Sequence, residues 1–463
     1  MSRFETASHP SHPAAKPVRT AAAQTPAAER EHERILASYG GAYDDPKLEA
    51  LINKTVQRLV AASERPDLTY KVTILNSGAV NAFALPTGQL YVTRGLIALA
   101  NDTSELSSVL SHEMAHVLAK HAAIREDQAR QAALVTRVVT DMGNDPDLTA
   151  LALAKSKLTM ASFSRAQELE ADGIGVGISA RAHFDPYGAA RFLTDMERNA
   201  ALKAGRNSID PRSQDFLSSH PATPERIQNV EANARQYPAP PNPERDRDEY
   251  LNAIDNIVYG EDPSEGFVRG HRFLHPKLGF TFQVPDTFTI DNTAQAVIAV
   301  RDGGGQAMRF DVVRVPAEQS LGDYLNSGWM ENVDKGSTQE LTINGFPAAS
   351  VTARGDQWQF KVYALRFGSD VYRFIFATRQ KTTESDRNAR ETIGSFRRLT
   401  LDEIQAARPL RIKVITVQPG DTVETLSHRM AGVDHPAQRF RVLNGLDPHA
   451  EVKVRERVKI VVD

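Results

Sequence analysis

Hydrophobic positions in the first half of the chain recur mainly at helical spacing. Across Pro46–Ser63, apolar residues return every three or four positions, as they do on one face of an α-helix. A second helix is predicted over Thr103–His121, with Thr103 or Ser104 as its cap and Glu105 in its first turn. The pattern remains mainly helical from about residue 125 to 235. This half of the chain is therefore expected to be dominated by helices.

Strand-type alternation interrupts the helical pattern in a few places. The segment YKVTIL at 70–75 alternates β-branched and other residues, which predicts a strand. Two further short segments, 81–85 and 89–93, flank a Pro-Thr-Gly turn and predict a hairpin or a strand at a sheet edge. Together they indicate a small β-sheet among the helices.

The pattern changes after the proline-rich stretch YPAPPNP at 237–243. Over 267–399, alternating strand candidates are interspersed with helix candidates at 320–328 and 383–395, which is typical of an α+β unit. The predicted divisions are a disordered tail (1–29), a mainly helical domain (30–236), a linker (237–264), an α+β accessory domain (265–408) and a small C-terminal unit (409–463).

Composition narrows the classes of function. The 463 residues are 41% hydrophobic and 24% charged, which suits a globular protein of about three domains. A net charge of −3 gives no basic excess for binding nucleic acid. We expect no transmembrane segment, because no apolar run reaches about 18 residues. The chain contains no cysteine, so any metal must be bound by His and carboxylates.

The segment HEMAH at 112–116 carries the clearest chemistry. Residues four positions apart share a helix face, so His112 and His116 can ligate one metal ion. Glu113 then lies beside the metal, where a carboxylate can take a proton from water and pass it to a leaving amine. Two ordinary helix histidines are the alternative. His121 falls on the opposite side of a continuous helix and is expected to pack nearby rather than ligate.

A second acidic pair lies in SRAQELEAD at 164–172. Glu168 and Asp172 are four residues apart on a predicted helix, whereas Glu170 points roughly the opposite way. Glu168 can complete a His₂Glu site, and Asp172 can accept a hydrogen bond from a ligand imidazole. A solvated acidic face fits the same spacing, so the residues alone leave both interpretations open.

Several spaced motifs give the first domain a family resemblance. HExxH followed about fifty residues later by SRAQELEAD resembles the pattern of family 48 of the metallopeptidases. Further stretches of that family are similar, in the same order, to YGGAY at 39–43, NAFALPTGQLYVTRGL at 81–96 and SHPATPERI at 219–227. The resemblance covers about Arg30–Gln236.

This resemblance implies a gluzincin-type zinc peptidase domain that is mainly helical with a small β-sheet. It places His112, His116 and Glu168 at the positions of the ligands to one Zn²⁺ per chain. Glu113 falls on the catalytic base, and Asp172 on the acid that orients a ligand. The departures from the family concern its membrane helices and its helical repeats, neither of which the sequence predicts here.

Two residues of the SHPATPERI segment carry further expectations from the resemblance. His220 resembles a histidine that in some members reaches the zinc, where it can fill the water position or stabilise an oxyanion. An ordinary turn histidine is the alternative. Arg226 is expected to pair with a carboxylate near the site, and a place on the helix surface is its alternative.

The first strand of the predicted hairpin is a candidate for binding substrate. A strand at the edge of a cleft can pair with an extended peptide through main-chain hydrogen bonds. A plain hairpin in the core is the alternative. The residues of this candidate substrate-binding strand are Asn81, Ala82, Phe83 and Ala84.

The C-terminal unit resembles a different family. A strand, a PGDT turn at 419–422, two helices of which the second ends in LNGL, and a closing strand resemble a LysM-type βααβ module. LysM modules commonly bind N-acetylglucosamine polymers, so peptidoglycan is an expected partner of residues 413–463. A docking or spacer unit is the alternative, since Val454–Arg457 replaces the usual Pro-Gly turn.

These features together predict an α+β multidomain zinc metalloendopeptidase that acts on proteins or peptides, misfolded or envelope proteins in particular. The rival hypothesis is a peptidoglycan-associated binding or chaperone-like protein in which proteolysis is latent. Both resemblances favour the periplasm or envelope of a bacterium. A cytoplasmic location is the alternative, because the first residues show no signal peptide or lipobox.

Overall fold

The computed structural model of the protein describes most of the chain. The described residues are 27–125, 163–204, 216–238, 240–241, 243–262, 264–292, 296–301, 303–355 and 357–463. Most of the predicted tail, and residues 126–162 of the predicted helical region, lie outside them. Among the helices described, none is both long enough and apolar enough to cross a bilayer.

The first domain is mainly helical where it is described. The buried face of its second helix carries Leu48, Ile52, Val56 and Leu59, at the spacing that predicts that helix. The helices of this domain are α1 (Ala27–Ser38), α2 (Pro46–Ala62), α3 (Arg94–Leu99), α4 (Thr103–Leu118), α5 (Arg165–Arg181), α6 (Gly188–Ala204), α7 (Phe216–Ser219) and α8 (Pro224–Ala234).

A three-stranded sheet lies among these helices. It contains β1 (Lys71–Leu75), β2 (Ala82–Ala84) and β3 (Gln89–Thr93), with β3 in the centre, parallel to β1 and antiparallel to β2. Gly88 in the connecting turn has φ +84°, and a Cβ there would lie 2.6 Å from the Thr69 carbonyl oxygen. The predicted hairpin is therefore observed, and β2 lies at the edge of this sheet.

The linker predicted at 237–264 contains a buried helix. In α9 (Pro243–Ile254), Tyr250, Leu251 and Ile254 are fully buried in the hydrophobic core of the first domain. The Tyr250 hydroxyl also donates to the Ile97 carbonyl at 2.6 Å. The charged run ERDRDE before these residues conceals the apolar face in the sequence. Most of the segment is thus part of the first domain and not a free linker.

The accessory domain is an α+β unit, as the alternating pattern predicts. An antiparallel seven-stranded sheet, ordered β10-β11-β12-β13-β9-β8-β7, packs with a smaller sheet, β14-β6-β5-β4, around an aromatic core. The strands are β4 (Phe267–Arg269), β5 (Arg272–His275), β6 (Phe280–Gln283), β7 (Phe288–Asn292), β8 (Val297–Arg301), β9 (Gln306–Val313), β10 (Val333–Ile343), β11 (Phe346–Arg354), β12 (Gln359–Phe367), β13 (Asp370–Thr378) and β14 (Arg397–Arg398). The helices are α10 (Leu321–Leu325), α11 (Thr383–Gly394) and α12 (Leu401–Ala406).

The C-terminal unit has the predicted βααβ order. It consists of β15 (Arg411–Thr416), α13 (Val423–Ser427), α14 (Pro436–Leu443) and β16 (Arg457–Val462), with β15 and β16 antiparallel. One side of the unit joins the core of the first domain through Ile412, Val442, Leu443 and Val461. The resemblance to LysM modules stays a prediction.

A cavity of about 910 Å³ lies where the three units meet. Its walls come from the first domain near Gly78, from Glu261, from β7 of the accessory domain and from α14 of the C-terminal unit. Beside this cavity, the backbone at Gly78 lies very close to the backbone at Gly260. A Cβ on Gly78 would lie 2.5 Å from the Gly260 carbonyl oxygen.

Candidate active site

The site forms where α4 crosses α5. Asp102 caps α4 by accepting from the Glu105 amide at 2.8 Å, and Ser164 with Gln167 forms a capping box on α5. The helices come very close at Gly175, where a Cβ would lie 3.0 Å from the His112 amide nitrogen. This close contact brings the histidine face of α4 against the acidic face of α5.

Four ligand atoms of the predicted kind meet between the helices. His112 Nε2 and His116 Nε2 are 3.0 Å apart, and they lie 3.6 and 3.5 Å from the two Glu168 carboxylate oxygens. His220 Nδ1 lies 2.9 Å from Glu168 Oε1 and 3.3 Å from His112 Nε2. Donors of a tetrahedral zinc site with bonds of about 2.0–2.1 Å stand about 3.3 Å apart, so this set fits one ion.

Two carboxylate oxygens at the site are short of partners. Glu113 Oε1 and Glu168 Oε2 are buried, and neither has a hydrogen-bond partner among the described residues. Arg226 Nη1 lies 2.7 Å from Glu168 Oε2 as an ion pair, but it is poorly aligned for a hydrogen bond. Buried polar atoms without partners are uncommon unless an ion or a water serves them. This observation fits a bound metal and an adjacent water-activating carboxylate.

Asp172 connects the ligands to α8. His112 Nδ1 lies 3.0 Å from Asp172 Oδ1, and Arg226 donates to both Asp172 oxygens at 2.8 and 2.7 Å. Arg226 also donates to the Pro221 carbonyl at 3.1 Å. The predicted pairing of Arg226 with a carboxylate near the site is therefore present in the geometry.

His121 approaches the site despite its position in the sequence. α4 ends at Leu118 and Lys120 turns the chain with φ +55°, so His121 folds back onto the helix. Its Nδ1 lies 2.9 Å from His116 Nδ1, and its Nε2 lies 3.3 Å from Glu170. His121 thus packs against His116 and is not one of the clustered ligand atoms, as expected, although it reaches His116 through a turn and not on a continuous helix.

His220 is held by aromatic stacking. Its ring stacks on Phe216 with centroids 4.3 Å apart, and His220 Nε2 lies 3.6 Å from Glu113 Oε1. The Phe216 amide donates to the Val80 carbonyl at 2.8 Å, just before β2. The segment that carries His220 is thus tied to the candidate substrate-binding strand.

The candidate strand lies beside α4. Ala82, Phe83 and Ala84 form β2, and the buried Asn81 donates through Nδ2 to the Tyr39 hydroxyl at 2.9 Å. Phe83 stacks on Tyr91 with centroids 4.9 Å apart. These contacts fix one side of the strand, while its position at the sheet edge leaves its other side facing away from β3.

Burial and close charges shift the pKa values of the site. Burial raises the pKa of Glu113 and lowers that of His116 to about 3. Burial also opposes charge on His112, but the adjacent Asp172 and Glu168 carboxylates outweigh it and raise the pKa to about 9. Burial alone would raise the pKa of Glu168, yet the three surrounding imidazoles hold that pKa well below its usual range. The protein groups alone therefore form a strongly coupled acid–base cluster.

Comparison with known proteins agrees with this geometry. Residues 46–234 match the model for peptidase family M48. The matched segment contains α2 to α8 and every ligand atom described above. Over this segment, the chain is therefore similar to the M48 family of metallopeptidases.

Individual relatives match the same part of the chain. The beta-barrel assembly-enhancing protease of Yersinia pestis is 27% identical over 229 residues, which are 47% of this chain and 45% of that protein. The Escherichia coli K12 protein of that name is 29% identical, covering 42% and 40%. The mitochondrial metalloendopeptidase OMA1 of Schizosaccharomyces pombe is 28% identical, covering 44% and 59%. The chain thus spans about half the length of these relatives.

Proposed function

We propose that the protein is a zinc-dependent metalloendopeptidase. The observation that carries the proposal is the cluster of His112, His116, Glu168 and His220, whose ligand atoms all lie within 4.8 Å of one another. Beside it lies Glu113, whose buried Oε1 has no hydrogen-bond partner among the described residues. A zinc ion held by His112, His116 and Glu168 supplies a Lewis acid that activates water and polarises a peptide carbonyl. The family match of this segment and the metalloprotease names of its relatives support the proposal.

Glu113 and His220 act on protons and charge in this proposal. Glu113 takes a proton from the attacking water at Oε1 and delivers it to the leaving amine, and its raised pKa suits both steps near neutral pH. His220 Nε2, which faces Glu113, donates to the oxyanion that develops on the carbonyl oxygen. The backbone of Asn81–Ala84 pairs with the extended substrate at the edge of the sheet.

We further propose misfolded or envelope proteins as substrates and the periplasm or cell envelope of a bacterium as the location. Two relatives bear the name of a beta-barrel assembly-enhancing protease, which supports this choice. In the same proposal, residues 413–463 bind peptidoglycan. The PGDT turn at 419–422, in which Pro419, Gly420 and Thr422 are exposed, supports this assignment.

A second candidate function is a binding or chaperone-like protein with latent proteolysis. It is favoured by the position of His220 Nδ1, which lies among the ligand atoms where a fourth ligand would bind. In that position, the His220 imidazole takes the fourth ligand place that a water would fill in a catalytic site. The two candidates differ in whether catalysis is needed for the biological effect.

The substitution Glu113→Gln tests the proposal. It removes the proton acceptor without touching a ligand, so we expect cleavage of unfolded casein to fall by about 10²–10⁴-fold with zinc content unchanged. Glu64→Gln, at an exposed carboxylate that pairs with Arg181, is the control and retains activity. Full activity of the Glu113 variant contradicts the mechanism. Rescue of an envelope-stress phenotype by both wild type and Glu113→Gln supports the binding protein instead.

A further inference from the structure

The C-terminal unit inserts a lysine beside the helix that carries HExxH. Lys459 on β16 is fully buried, and its Nζ lies 2.9, 3.0 and 2.7 Å from the carbonyl oxygens of Ala98, Leu99 and Ala100. An ammonium group has three hydrogens to donate, so these three bonds use all of them. The contact joins residues up to 361 positions apart.

The three carbonyls belong to the end of α3. The last carbonyls of a helix lack partners within the helix, and the helix dipole favours a cation at that end. Ala100 is the C-cap of α3, with its own amide bonded to Leu96. Lys459 therefore caps α3 from a separate unit of the chain.

The capped turn also begins α4. The Asn101 amide donates to Glu105 Oε2 at 2.7 Å, and Asp102 caps the Glu105 amide at 2.8 Å. His112 follows Glu105 by two helical turns on the same rigid helix. A shift of the turn at residues 98–101 would therefore be transmitted to the ligand imidazoles.

Charged groups face Lys459 from several elements. Glu105 on α4, Asp195 on α6 and the cap residue Asp102 attract its charge, whereas Arg247 on α9 repels it. Burial is the largest influence and lowers the pKa of Lys459 to about 7, while burial raises that of Glu105 to about 8. A buried charge is tolerated only when it is well paired, so this packing is specific.

The rest of the unit is fastened to the same region. The Asn256 amide donates to the Ile412 carbonyl at 2.8 Å, and the Ile412 amide donates to the Ile257 carbonyl at 3.0 Å. Arg247 bridges the two units by donating to the carbonyls of Asn101 and Arg457 at 3.1 and 3.3 Å. The unit is thus docked over a broad surface and is not a loose appendage.

We propose that the C-terminal unit is an intramolecular positioning element for the zinc helix, with Lys459 as its positioning residue. The ammonium fixes the turn from which α4 starts, and α4 in turn holds His112 and His116 at the spacing that zinc needs. The inference rests on the proposed function for its catalytic consequence, whereas the docking itself does not depend on catalysis.

The substitution Lys459→Met in the full chain removes the charge at similar length. We expect zinc affinity, measured by chelator competition, to fall about tenfold, and amide exchange over residues 103–111 of the metal-free chain to quicken by a similar factor. Lys459→Arg, which retains the charge, restores most of the affinity. Lys413→Met, which breaks an exposed ion pair between the neighbouring strand β15 and Asp255, stays within about twofold of wild type.

A folded Lys459→Met protein with zinc affinity and exchange within twofold of wild type overturns the inference. If that variant does not fold, the inference is tested instead on the wild type, by native-state hydrogen exchange at increasing denaturant concentration. We expect residues 457–462 and 103–111 to open together, and earlier opening of 457–462 with 103–111 still protected overturns the inference. A wild type without peptidase activity refutes the proposed function alone, because zinc affinity and exchange are measured independently of it.

Discussion

Asp172 is shared between an imidazole and a guanidinium, and this sharing fixes the proton on His112. With Arg226 on both carboxylate oxygens, Asp172 stays ionised, although burial alone would raise its pKa. An ionised Asp172 3.0 Å from His112 Nδ1 retains the ring proton on that nitrogen. In the neutral ring the lone pair therefore lies on Nε2, which faces Glu168 and His116, as a metal ligand requires.

The variant Asp172→Asn tests this arrangement. Loss of the charge weakens the hold on the His112 proton and leaves Arg226 buried with one partner fewer, so we expect zinc affinity to fall about 10–100-fold. Chelator competition measures the change. Glu64→Gln is the control, because Glu64 is exposed and pairs with Arg181 in the last turn of α5, away from the site. Zinc affinity within twofold of wild type would show that Asp172 has no orienting role.

The sequence indicates most of the ligand set because the helical period fixes which residues share a face. His112 with His116, and Glu168 with Asp172, are pairs of that kind. The break that ends α4 at Leu118 was not predicted, because no glycine or proline marks it, although His121 was expected to pack near the site. His220 was identified only by resemblance, since its approach depends on packing between distant segments.

At the scale of elements, the site depends on how closely α5 approaches α4. Gly175 faces the backbone of α4, where a Cβ would lie 3.0 Å from the His112 amide nitrogen and 3.1 Å from its Cα. Backbone atoms inside two packed helices cannot move aside as a flexible side chain can. The absence of a side chain at this position therefore sets the distance between the two ligand-bearing helices.

Gly175→Ala should separate α4 from α5. Alanine favours a helix over glycine by about 1 kcal/mol, so any loss arises from the clash and not from helix propensity. We expect zinc affinity and casein cleavage each to fall about tenfold or more, with a lower melting temperature. Gly173→Ala on the same helix is the control, since a Cβ there meets only the Asn233 side chain at 3.7 Å. Equal behaviour of the two variants would contradict the steric explanation.

Elements with regular apolar periods were predicted well from the sequence, whereas polar ones were not. α2 and α11 lie close to the predicted ranges because one face of each is buried. β10 escaped prediction since it is an edge strand with mostly exposed side chains and little alternation. α9 escaped because its charged first turns precede a short buried face. The local sequence pattern did not predict β10 and α9, so these elements depend on tertiary packing.

At the scale of the whole molecule, Glu261 lies in the wall of the cavity between the units. Both of its carboxylate oxygens accept from the Val268 amide, at 3.0 and 2.8 Å. Burial raises the pKa of Glu261 from 4.5 to about 7, although the Val268 amide and Arg269 oppose the shift. Burial where the units meet therefore favours the protonated form of the Glu261 carboxyl group.

A raised pKa makes the folded state less stable as pH increases. Between pH 4.5 and about 7, the unfolded chain has lost the Glu261 proton that the folded chain retains, so stability falls across this window and the full penalty applies above it. Glu261→Gln removes this penalty. We expect the melting temperature of the variant to fall less than that of wild type between pH 4.5 and 7.5, by a few degrees.

Scanning fluorimetry across pH measures the difference, with Glu231→Gln on exposed α8 as the control. Parallel pH profiles for wild type and Glu261→Gln would contradict the assignment of the raised pKa. The two profiles are expected to coincide at the acidic end, where both chains carry a neutral side chain at this position.

Lys459 lies far along the chain from the turn that it caps, so the two are synthesised at different times. A ribosome adds about 5–20 residues per second, so α4 emerges roughly 20–70 s before the lysine that caps its starting turn, 361 positions after Ala98. Contacts this distant in sequence form late in folding as well. A nascent chain therefore carries the HExxH helix without its final support while the accessory domain is still being made. If Lys459 positions α4 as proposed, the metal site therefore reaches its final geometry only when nearly the whole chain has been synthesised.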